Sequence, residues 1–106
     1  MEPKDIHTLV LLQRRFAKLH RKGDLIAVHD DYVHLDDEAM VELLKTADSE
    51  ITVTYREESE YPLEFAMTFE GVVFMTIMTY VEVKQYGLQN FVPAKLREAY
   101  AKATAA

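Results

Sequence analysis

The residues with the most evident chemical capacity lie close together near position 30, where histidines, a tyrosine and aspartates alternate with apolar residues. The set is His29, Asp30, Asp31, Tyr32, His34 and Asp36. Two imidazoles and a carboxylate can hold a divalent metal, and a metal-bound water could support a small metal-dependent enzyme centred on His29 and His34. In a hairpin, however, these two histidines are diagonal neighbours and lie farther apart than directly opposed residues. We therefore predict that no metal binds specifically at this site.

Other catalytic signatures are missing from the sequence. The chain has no cysteine and only three glycines, so it offers neither a thiolate nucleophile nor a glycine-rich phosphate loop. Its two serines, Ser49 and Ser59, lie in polar turns without the context of an activated nucleophile. The acidic segments lack the spacing of a calcium loop. The sequence thus predicts a non-enzymatic protein with no catalytic residues and no cofactor.

Length and composition are those of one small domain. The 106 residues are 49% apolar, which is enough for one hydrophobic core, and we expect a single domain over residues 1–106. The absence of disulfides favours a cytoplasmic location, and no apolar run is long enough to predict a signal peptide or a membrane span.

Charge is distributed unevenly along the chain. Residues 1–23 carry six basic and two acidic residues, whereas residues 24–70 carry two basic and fourteen acidic ones. A nucleic-acid-associated protein could use the basic side of the first helix, formed by Arg14, Arg15, Lys18, Arg21 and Lys22. The acidic middle segment would repel nucleic acid, so this interpretation is the alternative to binding a protein.

Three helices are predicted. Pro3 and Gly23 bracket a helix of about residues 4–22, whose apolar stripe is Ile6, Leu9, Leu12, Phe16 and Leu19. Gln13 and His20 fall within that stripe and are expected to be partly buried, whereas Leu11 falls among the basic residues and is expected to be exposed. Asp36 begins a second helix of about residues 37–47. A short terminal helix would carry the stripe Leu96, Ala99, Tyr100 and Ala103.

Five strands are predicted between the first and last helices. A hairpin turning at Asp30-Asp31 would pair residues 25–29 with 32–35, with Ile26, Val28, Val33 and Leu35 facing inward. A strand at about 51–56 precedes a second hairpin that turns at Gly71 and pairs 61–70 with a long strand of about 72–84. The order α-β-β-α-β-β-β-α favours an α+β fold with an antiparallel sheet of two hairpins plus one strand.

Two segments resemble a known group of proteins. The stretches VHDDYVHLDDEAMVELL (28–44) and EYPLEFAMTFEGVVFMTI (60–77) are similar to small uncharacterised proteins encoded by tailed phages and prophages of Gram-positive bacteria. The resemblance covers about half of the chain and carries no catalytic residues. It implies an accessory protein that acts by binding a protein partner, such as a host regulatory or defence component.

The long strand also predicts self-association. Both of its faces are apolar, and three helices are few for covering both faces of a five-stranded sheet. We therefore expect a homodimer whose interface contains Val73, Met75, Ile77 and Val81, with exposed Leu11 as a further candidate. The competing arrangement is that the first helix crosses to this face and covers it within one chain.

Overall fold

The computed structural model describes residues 1–46, 50–56, 58–96, 98 and 102. It confirms an α+β fold with a five-stranded sheet. The elements are α1 (Pro3–Lys22), β1 (Leu25–Val28), β2 (Val33–Leu35), α2 (Asp37–Thr46), β3 (Ile51–Tyr55), β4 (Leu63–Phe69), β5 (Val72–Met78), α3 (Tyr80–Gln85) and a 3₁₀ turn (Gln89–Phe91). Ala99, Tyr100 and Ala103 of the expected terminal helix lie outside the described residues.

The sheet is mixed, and the prediction of a purely antiparallel sheet is wrong in this respect. The strand order is β1-β2-β5-β4-β3, and β2 runs parallel to β5 with Val33 opposite Phe74. Parallel neighbours need a long connection. Here α2, β3 and β4 supply it, and β5 lies in the centre of the sheet between β2 and β4.

The first hairpin has a shifted register. Val28 pairs with Val33 and Ala27 with His34 as predicted, but Leu25 rather than Ile26 pairs with Leu35. A bulge adds one residue to β1 at this point, which moves the side chains before it to the opposite face. Leu25 is consequently buried, whereas Ile26, predicted to face inward, is exposed.

The second hairpin has the predicted register. Phe69 pairs with Val72, and the alternation continues regularly to Leu63 opposite Met78. The turn residues Glu70 and Gly71 have φ angles of 50° and 79°, the left-handed conformation that two-residue hairpin turns require.

The long strand ends earlier than predicted. Thr79 caps a new helix: its hydroxyl accepts the backbone N–H of Glu82, and the Glu82 carboxylate accepts the backbone N–H of Thr79, at 3.1 and 3.0 Å. This capping box satisfies the first backbone donors of α3 and stops the strand at Met78. Val81 therefore belongs to α3 and not to the strand face on which it was predicted.

The core lies between one face of the sheet and the helices α2 and α3. Its members are Met40, Val41, Leu44, Leu63, Phe65, Met67, Met78, Val83, Leu88 and Val92. Phe65 and Met40 are fully buried, and together these side chains supply most of the hydrophobic stabilisation. None of the core residues comes from α1, which leaves the apolar stripe of that helix available for another role.

Candidate protein interface at the first helix

Helix α1 is formed by strong local signals and buries no residue of its own. The Asp5 carboxylate accepts the Glu2 backbone N–H at 3.2 Å, and Gly23 ends the helix with a φ of 88°. The apolar side chains on one side of the helix are 39–54% exposed: Ile6, Leu9, Val10, Leu12, Phe16 and Leu19. Gln13 and His20, expected to be partly buried within this stripe, are also exposed. Large continuous apolar patches on protein surfaces usually mark interaction sites.

The helix packs mainly on β1, at the edge of the sheet. Between them lies a groove of about 580 Å³, which we call the α1–β1 groove. One wall is α1, and the other is formed by Leu25, Ala27 and Val28 of β1. The helical wall consists of Leu9, Leu12, Gln13, Phe16, Ala17, His20 and Arg21. Apart from the terminal Arg21, these residues follow the i, i+3, i+4, i+7 pattern of a single helix face.

A smaller apolar cavity of about 290 Å³ continues from this groove beneath the end of α1. Phe16, Leu25 and Val28 line both cavities, and Val33, Leu35 and Phe74 form part of the floor of the smaller one. These strand residues share the sheet face that bears the core. Helix α1 therefore lies on the same side of the sheet as α2, and the alternative in which it covers the opposite face is wrong.

The basic side of α1 is exposed along its length. Arg14, Arg15 and Lys18 form no ion pair with any part of the chain that the structure describes, whereas Lys22 Nζ lies 3.6 Å from an Asp24 carboxylate oxygen. Arg21 lines one end of the α1–β1 groove. The groove is therefore apolar along its length and positively charged at the end nearest Gly23.

The opposite sheet face is less open than the sequence suggested. Met75 is only 8% exposed, and Val73 and Ile77 are half-buried. Val81, at 64% exposure, lies on α3, and Leu11 is exposed on α1 among the basic residues. The structure thus does not bring the five candidate interface residues together in one patch.

The hairpin places His29, Tyr32 and His34 near one another. The rings of His29 and Tyr32 stack with centroids 4.5 Å apart, and His34 lies opposite Met75 on the second sheet face. Burial lowers the pKa of His34, and electrostatic interactions with His29 and Arg56 lower it further. Among the described residues, no group of three or more histidine, aspartate or glutamate side chains is arranged to hold a metal ion.

A pair of carboxyl groups forms a polar cluster that sequence reasoning missed. Asp37 at the start of α2 accepts the hydroxyl of fully buried Thr76 at 2.6 Å. Burial and a hydrogen bond to Glu82 raise the pKa of Asp37 to about 6, while the same hydrogen bond lowers the pKa of Glu82. Asp37 is therefore protonated below about pH 6 and can then donate to the Glu82 carboxylate, so that the pair shares one proton in that pH range.

This carboxyl pair has a structural role that explains its burial. It joins the first turn of α2 to the capping box of α3 and satisfies the hydroxyl of Thr76 within the core. None of its members lines the α1–β1 groove or the smaller cavity. A sequence signal existed only for half of the cluster, in the Thr79-x-x-Glu82 spacing of a capping box.

Comparison with other proteins gives no further guide. No protein-family model matches this chain, and searches of curated proteins and of solved structures found no match. Within the residues described, no helix combines the length and apolar character needed to cross a membrane. Function must therefore be inferred from the geometry of the chain's own residues.

Proposed function

We propose that this protein acts by binding rather than by catalysis, and that the α1–β1 groove receives an amphipathic helix from a protein partner. The observation that carries this proposal is the exposed apolar stripe of α1 beside a groove of about 580 Å³. The resemblance of residues 28–44 and 60–77 to phage and prophage proteins also favours an accessory protein that works by binding.

The groove has the form of a known mode of peptide recognition. Helix-in-groove binding places apolar side chains spaced three and four residues apart into a hydrophobic cleft. The α1 wall presents Leu9, Leu12 and Phe16 at such a spacing, and β1 supplies the opposite wall. A cleft of this volume has room for several aliphatic side chains of a bound helix.

Charge indicates which helices would bind best. Arg21 lines the end of the groove, and Arg14 and Lys18 lie on the adjacent side of α1. A ligand helix with one apolar face and acidic flanks would complement this surface, whereas a basic helix would be repelled.

Peptide binding tests the proposal directly. The probe is a fluorescein-labelled 18-residue helical peptide with leucines on one face and glutamates on the other, titrated with protein and followed by anisotropy. We expect a dissociation constant of about 10–100 µM, which corresponds to a binding free energy of about −5.5 to −7 kcal/mol. The Leu9→Glu variant should bind at least about tenfold more weakly, because a charge would enter the groove.

The chain offers a matched control on the same helix. Leu11 is an exposed leucine that does not line the groove, so Leu11→Glu should weaken peptide binding much less than Leu9→Glu does, since its charge only reduces the positive potential of the basic side. The proposal is wrong if the peptide does not bind folded wild-type protein at a protein concentration near 1 mM. Even an interaction with a binding free energy of about −4 kcal/mol is detected at that concentration. Equal losses in the Leu9 and Leu11 variants would also contradict it.

A further inference from the structure

We infer that the occupant of the α1–β1 groove is the first half of α1 from a second copy of this chain, bound antiparallel. This inference rests on the proposed function and names the partner. In the resulting twofold dimer each copy would insert residues 3–13 into the groove of the other, so that two equivalent contacts form.

The first turns of α1, before Leu9, line neither the α1–β1 groove nor the smaller cavity. The molecule measures 57 Å along its longest axis but only 27 and 25 Å along the others. A 20-residue helix is about 30 Å long, so α1 begins about 9 Å before Leu9, the first of its residues to line the groove. Ile6 and Leu9 in the first half are 54% and 52% exposed, the highest values in the stripe.

The apolar stripe has the spacing of a helix that packs against another helix. Ile6, Leu9, Gln13, Phe16 and His20 are separated alternately by three and four residues. This is the repeat of positions that meet along the seam of a coiled coil. An antiparallel register places Ile6 opposite Phe16 of the second copy and Leu9 opposite its Gln13, and continues the alternation to Glu2 opposite its His20.

Charge selects the antiparallel orientation over the parallel one. The start of α1 carries Glu2 and Asp5 together with Lys4, whose Nζ lies 3.3 Å from a Glu2 carboxylate oxygen, whereas its end carries the basic residues Arg21 and Lys22. A parallel pair would place the basic ends together. The antiparallel pair instead brings Glu2 and Asp5 of each copy to the end of the groove lined by His20 and Arg21 of the other, and it also opposes the helix dipoles.

The apolar area is sufficient for a weak but specific dimer. The exposed parts of the α1 stripe amount to roughly 400–500 Å² per copy, so that covering both stripes buries about 1,000 Å², near the lower limit for a specific interface. Exposed Val28 of β1 adds to this area, since it lines the groove that receives the second helix. The sheet face that the sequence predicted as the interface exposes less apolar area, because Met75 is already buried within one chain.

Sedimentation equilibrium of the full chain over a concentration range of about 1–300 µM tests the inference. We expect wild type to dimerise with a dissociation constant in the micromolar range, and Leu9→Glu to raise that constant at least about 100-fold because the symmetric dimer contains the substitution twice. Leu11→Glu should dimerise like wild type. Circular dichroism of each variant establishes that it is folded.

Orientation is tested by cross-linking, which the absence of native cysteines makes unambiguous. Glu2→Cys and His20→Cys proteins are mixed and oxidised, and the disulfide products are identified by mass. Antiparallel pairing predicts the mixed 2–20 product. Predominance of 2–2 and 20–20 products would overturn the antiparallel arrangement.

Failure of this inference differs from failure of the proposed function. A wild-type chain that stays monomeric at 300 µM overturns the second copy as occupant, yet the acidic peptide would still bind its groove if the proposed function holds. A dimer that survives Leu9→Glu but dissociates into folded monomers on Ile77→Asp would also overturn the inference, because it would place the interface on the opposite sheet face. When both proposals hold, the acidic peptide competes with dimerisation of the wild-type chain.

Discussion

The carboxyl pair gives a prediction about stability that does not depend on any binding partner. Replacing Asp37 with Asn mimics the protonated carboxyl: the amide oxygen accepts the Thr76 hydroxyl, and the amide NH₂ donates to the Glu82 carboxylate. The variant therefore keeps both hydrogen bonds without the proton that wild type must bind. We expect it to gain stability relative to wild type as pH rises.

The direction in which stability changes with pH follows from the raised pKa of Asp37. The pKa of Asp37 is raised from 3.8 to about 6 in the folded protein, so the native state binds more protons than the unfolded state between these values. Stability from Asp37 is consequently present at low pH and is lost as pH rises towards 6. Glu82 behaves oppositely, since its pKa is lowered, and its contribution is lost only as pH falls below its usual range.

The expected change in the unfolding free energy of Asp37→Asn relative to wild type is about 1 kcal/mol. The difference between a pKa of 3.8 and one of about 6 corresponds to about 3 kcal/mol for a fully buried group. Asp37 is only half-buried, so solvent screening reduces this to about 1 kcal/mol, and the loss of a favourable charge in the first turn of α2 offsets part of the gain at neutral pH. The difference in unfolding free energy, Asp37→Asn minus wild type, should rise by about that amount from pH 4.5 to pH 7.

Urea unfolding followed by circular dichroism at several pH values measures this difference, and groups common to both proteins cancel from it. Asp36→Asn is the matched control. It removes the same charge one residue earlier and retains a side chain that caps α2, but Asp36 does not contact Thr76. A difference for Asp37→Asn that stays flat with pH, or that falls as pH rises, would refute the shared-proton arrangement.

Three further outcomes are expected. Phe65→Ala should lower the unfolding free energy by about 3–5 kcal/mol in urea titrations, because Phe65 is fully buried in the core; a loss below about 1 kcal/mol would contradict that packing. Calorimetry with zinc and manganese should show no specific binding, and micromolar binding that disappears in His29→Ala/His34→Ala would reverse the metal prediction. Duplex DNA should bind weakly in salt-dependent anisotropy, and submicromolar affinity near physiological salt that is abolished by Arg14→Glu/Lys18→Glu would favour nucleic-acid binding instead.

The elements that the sequence predicted well are those determined by local pattern. The β4–β5 hairpin has the predicted register because alternation over seven residues on each side and Gly71 at the turn permit only one pairing. The first hairpin has shorter strands, so little in its pattern opposed a one-residue shift, and the bulge at Ile26 was not predicted. The Thr79-x-x-Glu82 capping signal is present in the sequence. The apolar residues on both sides of it nevertheless led to the prediction of a strand that continues to residue 84.

The features that could not be predicted depend on distant parts of the chain. The parallel pairing of β2 with β5 depends on where α2 packs, which no local pattern specifies. Asp37 and Glu82 are far apart in sequence and meet only because α2 and α3 cover the same sheet face. The basic residues of α1 were correctly placed on an exposed side, but an amphipathic stripe has the same spacing whether it is buried or left open.

The separation of α1 from the core is compatible with the binding role proposed for this helix. Most helical stability in proteins comes from tertiary packing, and the tertiary contacts of α1 are mainly with β1. Local features further stabilise the helix. Asp5 lies at its start, Gly23 ends it, and basic residues in its last turn interact favourably with the helix dipole. Because the core contains no α1 residue, a charge introduced at exposed Leu9 should leave folding intact. Loss of association in that variant would therefore report on the interface itself.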